Sequence, residues 1–354
     1  MTVSNTETKL PLVHVRGSHR EMGRQFGEQL SAQIKEYSET WLRNVTKRSG
    51  LTMEQALAKA QSFAPFVEEY APHLAEEIRG VAEGAGISEA EAYSIQIRME
   101  LLYGGPPPLS CTTFAISGER TVDGHPIVGQ NVDLAADVEK YGLILHLEPD
   151  EGPAIMIYTS PGLISYVGIN SAGLAVHGNL LIAPGWRAGF PRYLVGRLML
   201  EQSTVEEAIE AGVKPPRASS RNLILGDARG TIRNIELAID DHRILEPENG
   251  FLVHTNHYIA PGLEGIEGKP PSASSCNRLE RIKTLIDEEK ELFTVEKLQG
   301  FFRDHEGYPG SICAHPSEGN NSKTVVSLIS KPADGEMYVA PGNPCGSEYT
   351  VYRI

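Results

Sequence analysis

Hydrophobic positions repeat with a helical period in the first hundred residues of this chain and with a strand-like period after them. Over about residues 18–48, apolar side chains recur every three or four positions, which predicts a helix with one buried face (Met22, Phe26, Leu30, Ile34, Tyr37 and Leu42). Ser18 and Glu21 have the spacing of a capping box, so we expect the helix to begin there. Further helices are predicted from near Thr52 and over about residues 88–103. The N-terminal segment is therefore predicted to be mostly helical.

The pattern changes at GGPPP, residues 104–108, because proline lacks a backbone donor and disfavours helix in the residue before it. Beyond it, short apolar or alternating runs separated by Gly, Asp, Asn or Pro predict consecutive antiparallel strands, namely TTFAI, HPIVGQ, GLILHLE, PAIMIYT, ISYVGI, GLAVHGNLL, RNLILGD, IRNIELA, GFLVHT, KTVVSLI and EMYVA. Helical patterns interrupt the strands at about residues 191–211 and 275–302. This order predicts an α+β protein in which helices cover sheets.

Composition and charge restrict the partners. The 354 residues are 40% hydrophobic and 22% charged, which is typical of a globular protein with a sizeable core. With 46 acidic and 32 basic side chains, the net charge of -14 opposes binding to nucleic acid or to an anionic membrane surface. The chain contains neither a signal-like segment nor an apolar run long enough to span a membrane. We therefore expect a cytoplasmic protein with a small-molecule partner, and homo-oligomer formation stays open.

Common cofactor and metal motifs are not found. EGAGISE at residues 83–89 starts like a dinucleotide-binding GxGxxG motif, but it lacks the last glycine and lies between helical patterns. There is no GxxxxGK[ST], HExxH or GxSxG motif, and no CxxC pair among the widely spaced Cys111, Cys276, Cys313 and Cys345. His254 and His257 end a strand pattern and are predicted to be one buried and one exposed histidine. The sequence thus predicts no cofactor and no metal ion.

Cys111 is the strongest candidate for chemistry. A cysteine that opens a strand is most often a small buried hydrophobe, but the context differs here. Residues 111–133 read CTTFAISGERTVDGHPIVGQNVD, two apolar runs joined by the turn-like VDGH. Such a hairpin returns the end of the second run beside the start of the first. It therefore brings Asn131 and Asp133 near Cys111, which makes Cys111 a candidate nucleophile.

Several segments, taken in order, resemble one enzyme family. They are RGSHREMGRQFGEQL at 16–30, the CTTF strand, GQNVD at 129–133, INSAGLAVHGNLL at 169–181, HTNHY at 254–258 and MYVAPGNPC at 337–345. Together they resemble the acyl-coenzyme A:6-aminopenicillanic acid acyltransferase family, a group of cysteine amidases among the N-terminal-nucleophile hydrolases, related to bile salt hydrolases. The resemblance covers most of the chain and implies a four-layer αββα sandwich. It also implies self-cleavage before Cys111, into an α chain of residues 1–110 and a β chain of residues 111–354 that together form one structural domain.

A cysteine at a chain terminus carries its own base. A thiol with a pKa of about 8.5 is largely protonated at neutral pH, whereas an α-amine with a pKa of about 7.7–8.0 can accept its proton. Thiolate attack on an amide creates an oxyanion, which suitable donors stabilise by about 3 kcal/mol each. In the self-cleavage that the resemblance implies, the Cys111 thiol attacks the carbonyl of Ser110, an N-to-S acyl shift follows, and water hydrolyses the thioester.

The resemblance also implies roles for other residues. Asp133 matches the aspartate that hydrogen-bonds the new amino terminus, and Asn256 matches the asparagine of the oxyanion hole. Asn179 matches the residue whose backbone N–H is the second oxyanion donor. Gln130 stands where bile salt hydrolases carry arginine, and Ser110 stands where the family often has glycine. No arginine near the C-terminus matches the family's arginine there, so no site arginine is assigned.

The leading hypothesis is a self-processing cysteine amidase or acyltransferase. It would act on a linear, non-peptide amide or an acyl-thioester substrate through an acyl-thioester on Cys111, with hydrolysis favoured over transfer. One alternative is a member of the same fold that never matures and only binds a small ligand. Another is a cysteine hydrolase that uses His177 or His257 as a separate base and needs no cleavage. The prolines at 106–108 are interpreted either as restraining the scissile segment or as a plain spacer.

Overall fold

The N-terminal segment is mostly helical, as predicted, but it begins with a strand. The computed structural model describes residues 9–102 and 110–354. Its first elements are β1 (Leu12–Gly17), α1 (His19–Gln29), α2 (Ser31–Ser49), α3 (Met53–Gln61), α4 (Ala64–Tyr70), α5 (Pro72–Ala85), α6 (Glu89–Gln96) and α7 (Arg98–Leu101). The predicted end of the last helix at residue 103 and the GGPPP segment lie outside the described residues.

Each predicted helix start is confirmed by its cap, but the predicted helix lengths are wrong. Ser18 Oγ accepts the Glu21 N–H at 3.4 Å, and complete capping boxes open α3 and α6 at Thr52 and Ser88. The single helix predicted over residues 18–48 breaks at Leu30, whose backbone leaves the helical region. The helix predicted from residue 88 likewise breaks into α6 and α7. The continuous periodicity did not reveal these breaks, because each new helix keeps its buried face toward the same core.

The packing of α1 on α5 rests on glycine at four positions. A Cβ atom on Gly23 would lie 2.0 Å from the Glu77 carbonyl oxygen, and one on Gly80 would lie 2.1 Å from the Arg20 carbonyl oxygen. Gly27 and Gly84 make the same close approach one turn further along. The backbones of the two helices therefore touch. The stabilisation from this close contact between the two helices outweighs the loss of helix stability that glycine causes.

All the predicted strand runs are confirmed as strands. They are β2 (Ser110–Ile116), β3 (Ile127–Ala135), β4 (Leu143–Pro149), β5 (Ile155–Thr159), β6 (Val167–Asn170), β7 (Leu174–Leu180), β8 (Arg221–Asp227), β9 (Ile232–Leu237), β11 (Phe251–His254), β12 (Ser322–Lys331) and β13 (Glu336–Pro341). Strands β1, β10 (His242–Leu245) and β14 (Thr350–Arg353) were not predicted. The two predicted helical interruptions are α8 (Arg192–Leu200) with α9 (Val205–Val213), and α10 (Ala273–Glu288) with α11 (Val295–Phe302).

The strands form two sheets. One sheet has eight strands in the order β1-β4-β5-β6-β7-β8-β9-β10, and the other has six in the order β11-β2-β3-β12-β13-β14. Neighbouring strands are antiparallel except that β1 lies parallel to β4. Because β1 forms an edge of the larger sheet, the segment before Cys111 is built into the same fold as the segment after it.

Three hydrophobic clusters define four layers. One lies between α1–α9 and the eight-stranded sheet, a second lies between the two sheets, and a third lies between the six-stranded sheet and α10 and α11. Alternate residues of one strand serve different clusters: Leu145 faces the helices, while Ile144 faces the other sheet. The predicted αββα arrangement is therefore confirmed. Within the described residues, none of the helices combines the length and apolar character needed to cross a membrane.

Candidate active site

The β2–β3 hairpin is present and, as predicted, returns the end of β3 beside the start of β2. Ser110 pairs with Asp133 and Cys111 pairs with Val132, at the first residues of β2. Cys111 is 3% exposed and its side chain belongs to the cluster between the sheets. Asn131 lies beside Thr112 in the ladder, but its amide donates to the carbonyl oxygens of Phe302 and Ile312, each at 3.0 Å. Of the two hairpin residues predicted near Cys111, Asn131 therefore uses its side chain elsewhere.

Side chains hold the main chain of Cys111 on both sides of its Cα. Its N–H donates to Asn256 Oδ1 at 2.8 Å. Its carbonyl oxygen accepts from Arg278 Nη1 at 2.6 Å and from Asn179 Nδ2 at 3.2 Å. The cysteine is thus fixed by residues from the loop after β11, from α10 and from β7. The fold brings Asn256 and Asn179 together at Cys111 and adds Arg278; the roles that the resemblance implies for the two asparagines stay predictions.

The Asn256 amide is oriented by its partners. Oδ1 faces two donors, Cys111 N–H and Arg278 Nη2, the latter at 3.1 Å, while Nδ2 donates to the Leu180 carbonyl at 3.0 Å. The backbone N–H of Asn256 donates to Ser275 Oγ at 2.8 Å. An amide nitrogen carries two hydrogens. One hydrogen of Nδ2 is engaged with Leu180, and the other has no acceptor within the described part of the chain.

A buried carboxylate secures the loop that carries Asn256. Glu236 Oε1 lies 2.8 Å from His254 Nε2 and accepts the Ile259 N–H at 2.7 Å, and Oε2 accepts the Ala260 N–H at 3.1 Å. His254 is buried, and His257 is half-buried with Nδ1 2.8 Å from Ser275 Oγ. Both histidines of the HTNHY segment therefore position the loop.

The two oxygens of Asp133 differ in their contacts. Oδ1 accepts from Thr324 Oγ1 at 2.7 Å, whereas Oδ2 is buried and has no hydrogen-bond partner among the residues that the structure describes. Burial raises the pKa of Asp133 to about 7, although the charge of Arg278 and the hydrogen bond from Thr324 act in the opposite direction. A buried carboxylate oxygen without a donor is costly, so a new donor at this position would stabilise the site.

The raised pKa of Asp133 predicts how stability depends on pH. Because the folded chain holds this proton more tightly than the unfolded chain, whose ordinary value is 3.8, stability falls as the pH rises from about 4 to about 7, by up to about 1.4 kcal/mol per pH unit. Urea unfolding at several pH values is compared between Cys111→Ala, which lacks the sulfur needed for the self-cleavage that the resemblance implies, and Cys111→Ala with Asp133→Asn. The slope should be shallower in the second protein. Equal slopes would contradict the assignment.

Arg278 is the site residue that the sequence analysis missed. Besides Cys111 and Asn256, it contacts Thr112 Oγ1 through Nη1 at 2.9 Å. It is 2% exposed, and burial lowers its pKa while the Asp133 charge raises it. Arginine keeps its charge in such settings. The signal was present in α10, whose buried positions are Ser275, Arg278, Ile282 and Ile286: a charged residue on the apolar face of a helix is rarely buried without a partner.

The Cys111 thiol is protonated in the intact chain at neutral pH. Burial and the Asp133 charge raise its pKa to about 11, while hydrogen bonds from the Asp133 backbone and the Gln130 side chain, with the Arg278 charge, act against them. Among the described residues, no histidine makes a hydrogen bond to Cys111. His177 instead bonds Ser330 Oγ at 2.9 Å, and burial lowers its pKa to about 3. A histidine with so low a pKa is a weak base for a thiol.

Asn179 and Gln130 tie the site to the larger sheet. Asn179 Oδ1 accepts from Thr113 Oγ1 and from Asn222 Nδ2, both at 2.9 Å. Gln130 of β3 pairs its amide with the backbone of Gly178 in β7, donating at 2.6 Å and accepting at 3.0 Å. Glutamine thus joins the two sheets through a two-way amide contact that arginine, which has no acceptor, cannot make. The predicted role of the Asn179 backbone N–H stays a prediction.

A largely apolar cavity of about 300 Å³ lies between the N-terminal helices and the end of β3. Tyr166 lines it and also packs against the cluster that contains Cys111. Leu134, which follows Asp133, lines it as well. The remaining lining residues are Tyr37, Trp41, Asn44, Arg48, Arg98, Met99, Leu102, Ala135, Asp137, Val138 and Tyr193.

Comparison with known proteins identifies the family. The model of the family described as acyl-coenzyme A:6-aminopenicillanic acid acyl-transferase matches residues 120–345, which include Asp133, Asn179, Asn256 and Arg278. The chain belongs to this family. The resemblance found in the sequence is therefore confirmed. Cys111 lies just upstream of the matched segment.

Several known proteins are similar to this chain over much of its length. The acyl-coenzyme A:6-aminopenicillanic-acid-acyltransferase 40 kDa form of Emericella nidulans is 28% identical over 351 residues, covering 96% of this chain and 95% of that protein. An uncharacterized protein of Archaeoglobus fulgidus is 21% identical over 71% of this chain and 50% of its own length. Among solved structures, a variant of conjugated bile acid hydrolase from Clostridium perfringens matches 69% of this chain and 97% of its own at 16% identity, with a TM-score of 0.44. Penicillin V acylase from Agrobacterium tumefaciens matches 65% and 83% at 15% identity, also with a TM-score of 0.44.

Proposed function

We propose that the chain is a self-processing cysteine amidase or acyltransferase that acts on a linear, non-peptide amide through an acyl-thioester on Cys111, with hydrolysis favoured. The observation that carries this proposal is the convergence of Asn256, Arg278 and Asn179 on the main chain of Cys111, with Asp133 opposite Ser110. A structural cysteine needs no such set of buried polar side chains around its backbone. The named relative, an acyltransferase for 6-aminopenicillanic acid, supports acyl transfer as the class of reaction.

In the proposed self-cleavage, the Cys111 sulfur attacks the carbonyl carbon of Ser110. The bond from that carbon to the Cys111 nitrogen breaks, the nitrogen takes up the proton that the thiol gives up, and a thioester joins Ser110 to the sulfur. Water then hydrolyses the thioester to a Ser110 carboxyl group and a free thiol. The hydrogen bonds from Arg278 and Asn179 to the Cys111 carbonyl would hold the cysteine in place while the bond on its other side is exchanged.

Cleavage would change the surroundings of both the Asp133 carboxyl group and the Cys111 thiol. The new α-amine of Cys111 can donate to the unpartnered Oδ2 of Asp133 and keep the contact with Asn256 Oδ1. The same amine supplies a base for the thiol, whose pKa of about 11 in the intact chain leaves it protonated. The intact chain is thus a precursor of low reactivity, and the cut chain holds its nucleophile and base on one residue.

Substrate turnover would use the remaining donors. The sulfur attacks the amide carbonyl of the substrate, the amine leaves with a proton from the α-amine, and water hydrolyses the acyl-thioester. The free hydrogen of Asn256 Nδ2 and the Asn179 backbone N–H are the proposed oxyanion donors. The apolar, tyrosine-lined cavity next to Tyr166 suits an apolar acyl group.

Two measurements on the wild-type chain test the proposal. Mass spectrometry under denaturing conditions should find two chains divided between Ser110 and Cys111, the larger one beginning CTTF. A panel of N-acyl amines, β-alanyl amines, penicillins and acyl-homoserine lactones should contain a substrate whose hydrolysis iodoacetamide stops. A chain that stays whole and has no iodoacetamide-sensitive activity would refute the proposal. In that case, binding of N-acyl amines without turnover would favour the ligand-binding alternative. A chain that stays whole but has alkylation-sensitive activity would instead favour a cysteine hydrolase with a separate base.

A further inference from the structure

Two histidines and two cysteines meet on the six-stranded-sheet side of the protein, outside the site described above. His315 Nε2 lies 3.1 Å from His305 Nε2, 3.6 Å from Cys313 Sγ and 3.4 Å from Cys345 Sγ. All four atoms lie within 4.8 Å of one another. The sequence predicted no metal ion because none of these residues belongs to a CxxC or HExxH motif. The fold brings them together from the long connection between α11 and β12 and from the loop after β13.

The three separations measured from His315 Nε2 suit ligands around one tetrahedral ion. Zinc bonds of about 2.3 Å to sulfur and about 2.0–2.1 Å to nitrogen place neighbouring ligand atoms of a tetrahedron roughly 3.3–3.8 Å apart. The distances around His315 Nε2 lie close to that range. Hydrogen bonding alone does not explain the arrangement, because one imidazole nitrogen offers either one hydrogen or one lone pair and cannot serve three partners.

We propose that His305, Cys313, His315 and Cys345 bind one Zn²⁺ ion as a structural site. Two thiolates with two imidazoles in tetrahedral geometry select zinc over the hard ions Mg²⁺ and Ca²⁺, which prefer oxygen ligands. Four protein ligands leave no open position for a substrate or a reactive water, so the ion is structural rather than catalytic. His305 and Cys345 are exposed, which gives the ion a path into the site, whereas Cys313 is fully buried.

The surroundings support a metal-bound thiolate. Asn343 Nδ2 lies 3.5 Å from Cys313 Sγ and donates to the Ala314 carbonyl at 2.6 Å, so it lies next to the cluster as a positioning residue. The connection from α11 to β12 covers residues 303–321 and has no regular element. Loops without secondary structure are seldom longer than roughly 12–15 residues, so this connection is unusually long. An ion bound to His305, Cys313 and His315 in this connection and to Cys345 would hold the connection against the six-stranded sheet.

The proposed zinc site is linked to Asp133 through Ala314 and Thr324. Ala314, between two of the proposed ligands, donates its N–H to Thr324 Oγ1 at 3.0 Å and accepts the Thr324 N–H at 2.9 Å. Thr324 Oγ1 in turn donates to Asp133 Oδ1 at 2.7 Å. The ion would therefore fix the backbone that orients the hydroxyl facing Asp133. This role is independent of whether Cys111 is a nucleophile.

Metal analysis of the full-length, tag-free protein tests the site. Protein purified under reducing conditions and titrated with Zn²⁺ should hold one zinc per chain by elemental mass spectrometry, and Co²⁺ in its place should give the absorption of a tetrahedral thiolate complex. Cys345→Ser should weaken Zn²⁺ binding by more than the roughly 10–100-fold that loss of a supporting contact costs, and Asn343→Ala by about that amount. Cys345 is exposed, so its substitution tests binding without disturbing the core.

Cys276→Ser and Cys111→Ala are the matched controls, and both should bind zinc as the wild type does. Removing zinc with a chelator should lower the melting temperature, and adding it back should restore it. The proposal is overturned if the wild type binds no zinc, or if Cys345→Ser and His315→Ala both bind it as tightly as the wild type. It is also overturned if mass spectrometry under non-reducing conditions finds Cys313 and Cys345 joined as a disulfide in freshly purified protein.

Discussion

Replacing Cys111 with alanine should leave a single uncut chain of 354 residues and abolish amide hydrolysis. Both effects have one cause, since the same sulfur attacks the Ser110 carbonyl during maturation and the substrate carbonyl during turnover. Removal of a covalent nucleophile lowers kcat by on the order of 10⁶-fold. The chain should still fold, because Cys→Ala removes one buried atom and the contacts of the Cys111 main chain with Asn256 and Arg278 do not involve that atom.

Cys276→Ala is the matched control for this experiment. Cys276 lies half-buried on α10, close in sequence to Arg278, and its sulfur has no role in the proposed site. Intact mass, hydrolysis of the panel substrate and the unfolding midpoint are measured for both variants. The control should mature and turn over substrate like the wild type. If the Cys111→Ala chain were cut at the same bond, or kept its activity, another group would have to be the nucleophile.

The order of the elements was predictable because most of them are locally encoded. Strands β2 to β9 and β11 to β13 are runs of buried or alternating side chains bounded by turn residues, and that pattern needs no knowledge of the partner strand. Strands β10 and β14 lie at the sheet edges and have few fully buried residues, so their sequences lack such a pattern. The break at Leu30 and the glycine contact of α1 with α5 depend on tertiary packing, which periodicity does not encode.

The candidate site was predictable only where a short segment determines the geometry. In the hairpin register, Asp133 lies opposite Ser110. Asn131 comes two residues earlier and so shares a face of β3 with Asp133, which is why the sequence alone could not show which of the two side chains serves the site. Asn179 and Asn256 came from the family resemblance. Arg278 and the four proposed zinc ligands contact residues that are far away in the sequence, so no local sequence pattern predicts those contacts. For Arg278, the one indication in the sequence was its position on the apolar face of α10.

Arg278 should prove to be the residue on which both the stability and the maturation of the precursor depend. Arg278→Met leaves the buried Asp133 without its neighbouring cation and removes donors from the Cys111 carbonyl and from Asn256 Oδ1. A buried acceptor left without its donor costs about 1–3 kcal/mol. We expect a loss of this size in urea unfolding, measured in a Cys111→Ala background that keeps the chain whole, and we expect self-cleavage to stop when Cys111 is present.

Lys283→Met is the control, because it removes one positive charge from the exposed face of the same helix and should change stability by less than about 0.5 kcal/mol. Arg278→Lys keeps the charge but replaces the planar fork with a single ammonium group. It should therefore recover much of the stability while cleavage stays slow, since one ammonium group does not reproduce the two-nitrogen contact with Cys111 and Asn256. Recovery of full cleavage by lysine would show that charge alone is needed.

A double substitution separates the charge of Arg278 from its hydrogen bonds. If the loss in Arg278→Met arises mainly from the unbalanced Asp133 carboxylate, adding Asp133→Asn removes that charge, and the double variant should lose less stability than the two single losses added together. Cleavage should not return in the double variant, because the Cys111 carbonyl still lacks its 2.6 Å donor. Strict additivity of the two stability losses would mean that Arg278 and Asp133 act independently, in which case Arg278 would serve the Cys111 backbone alone.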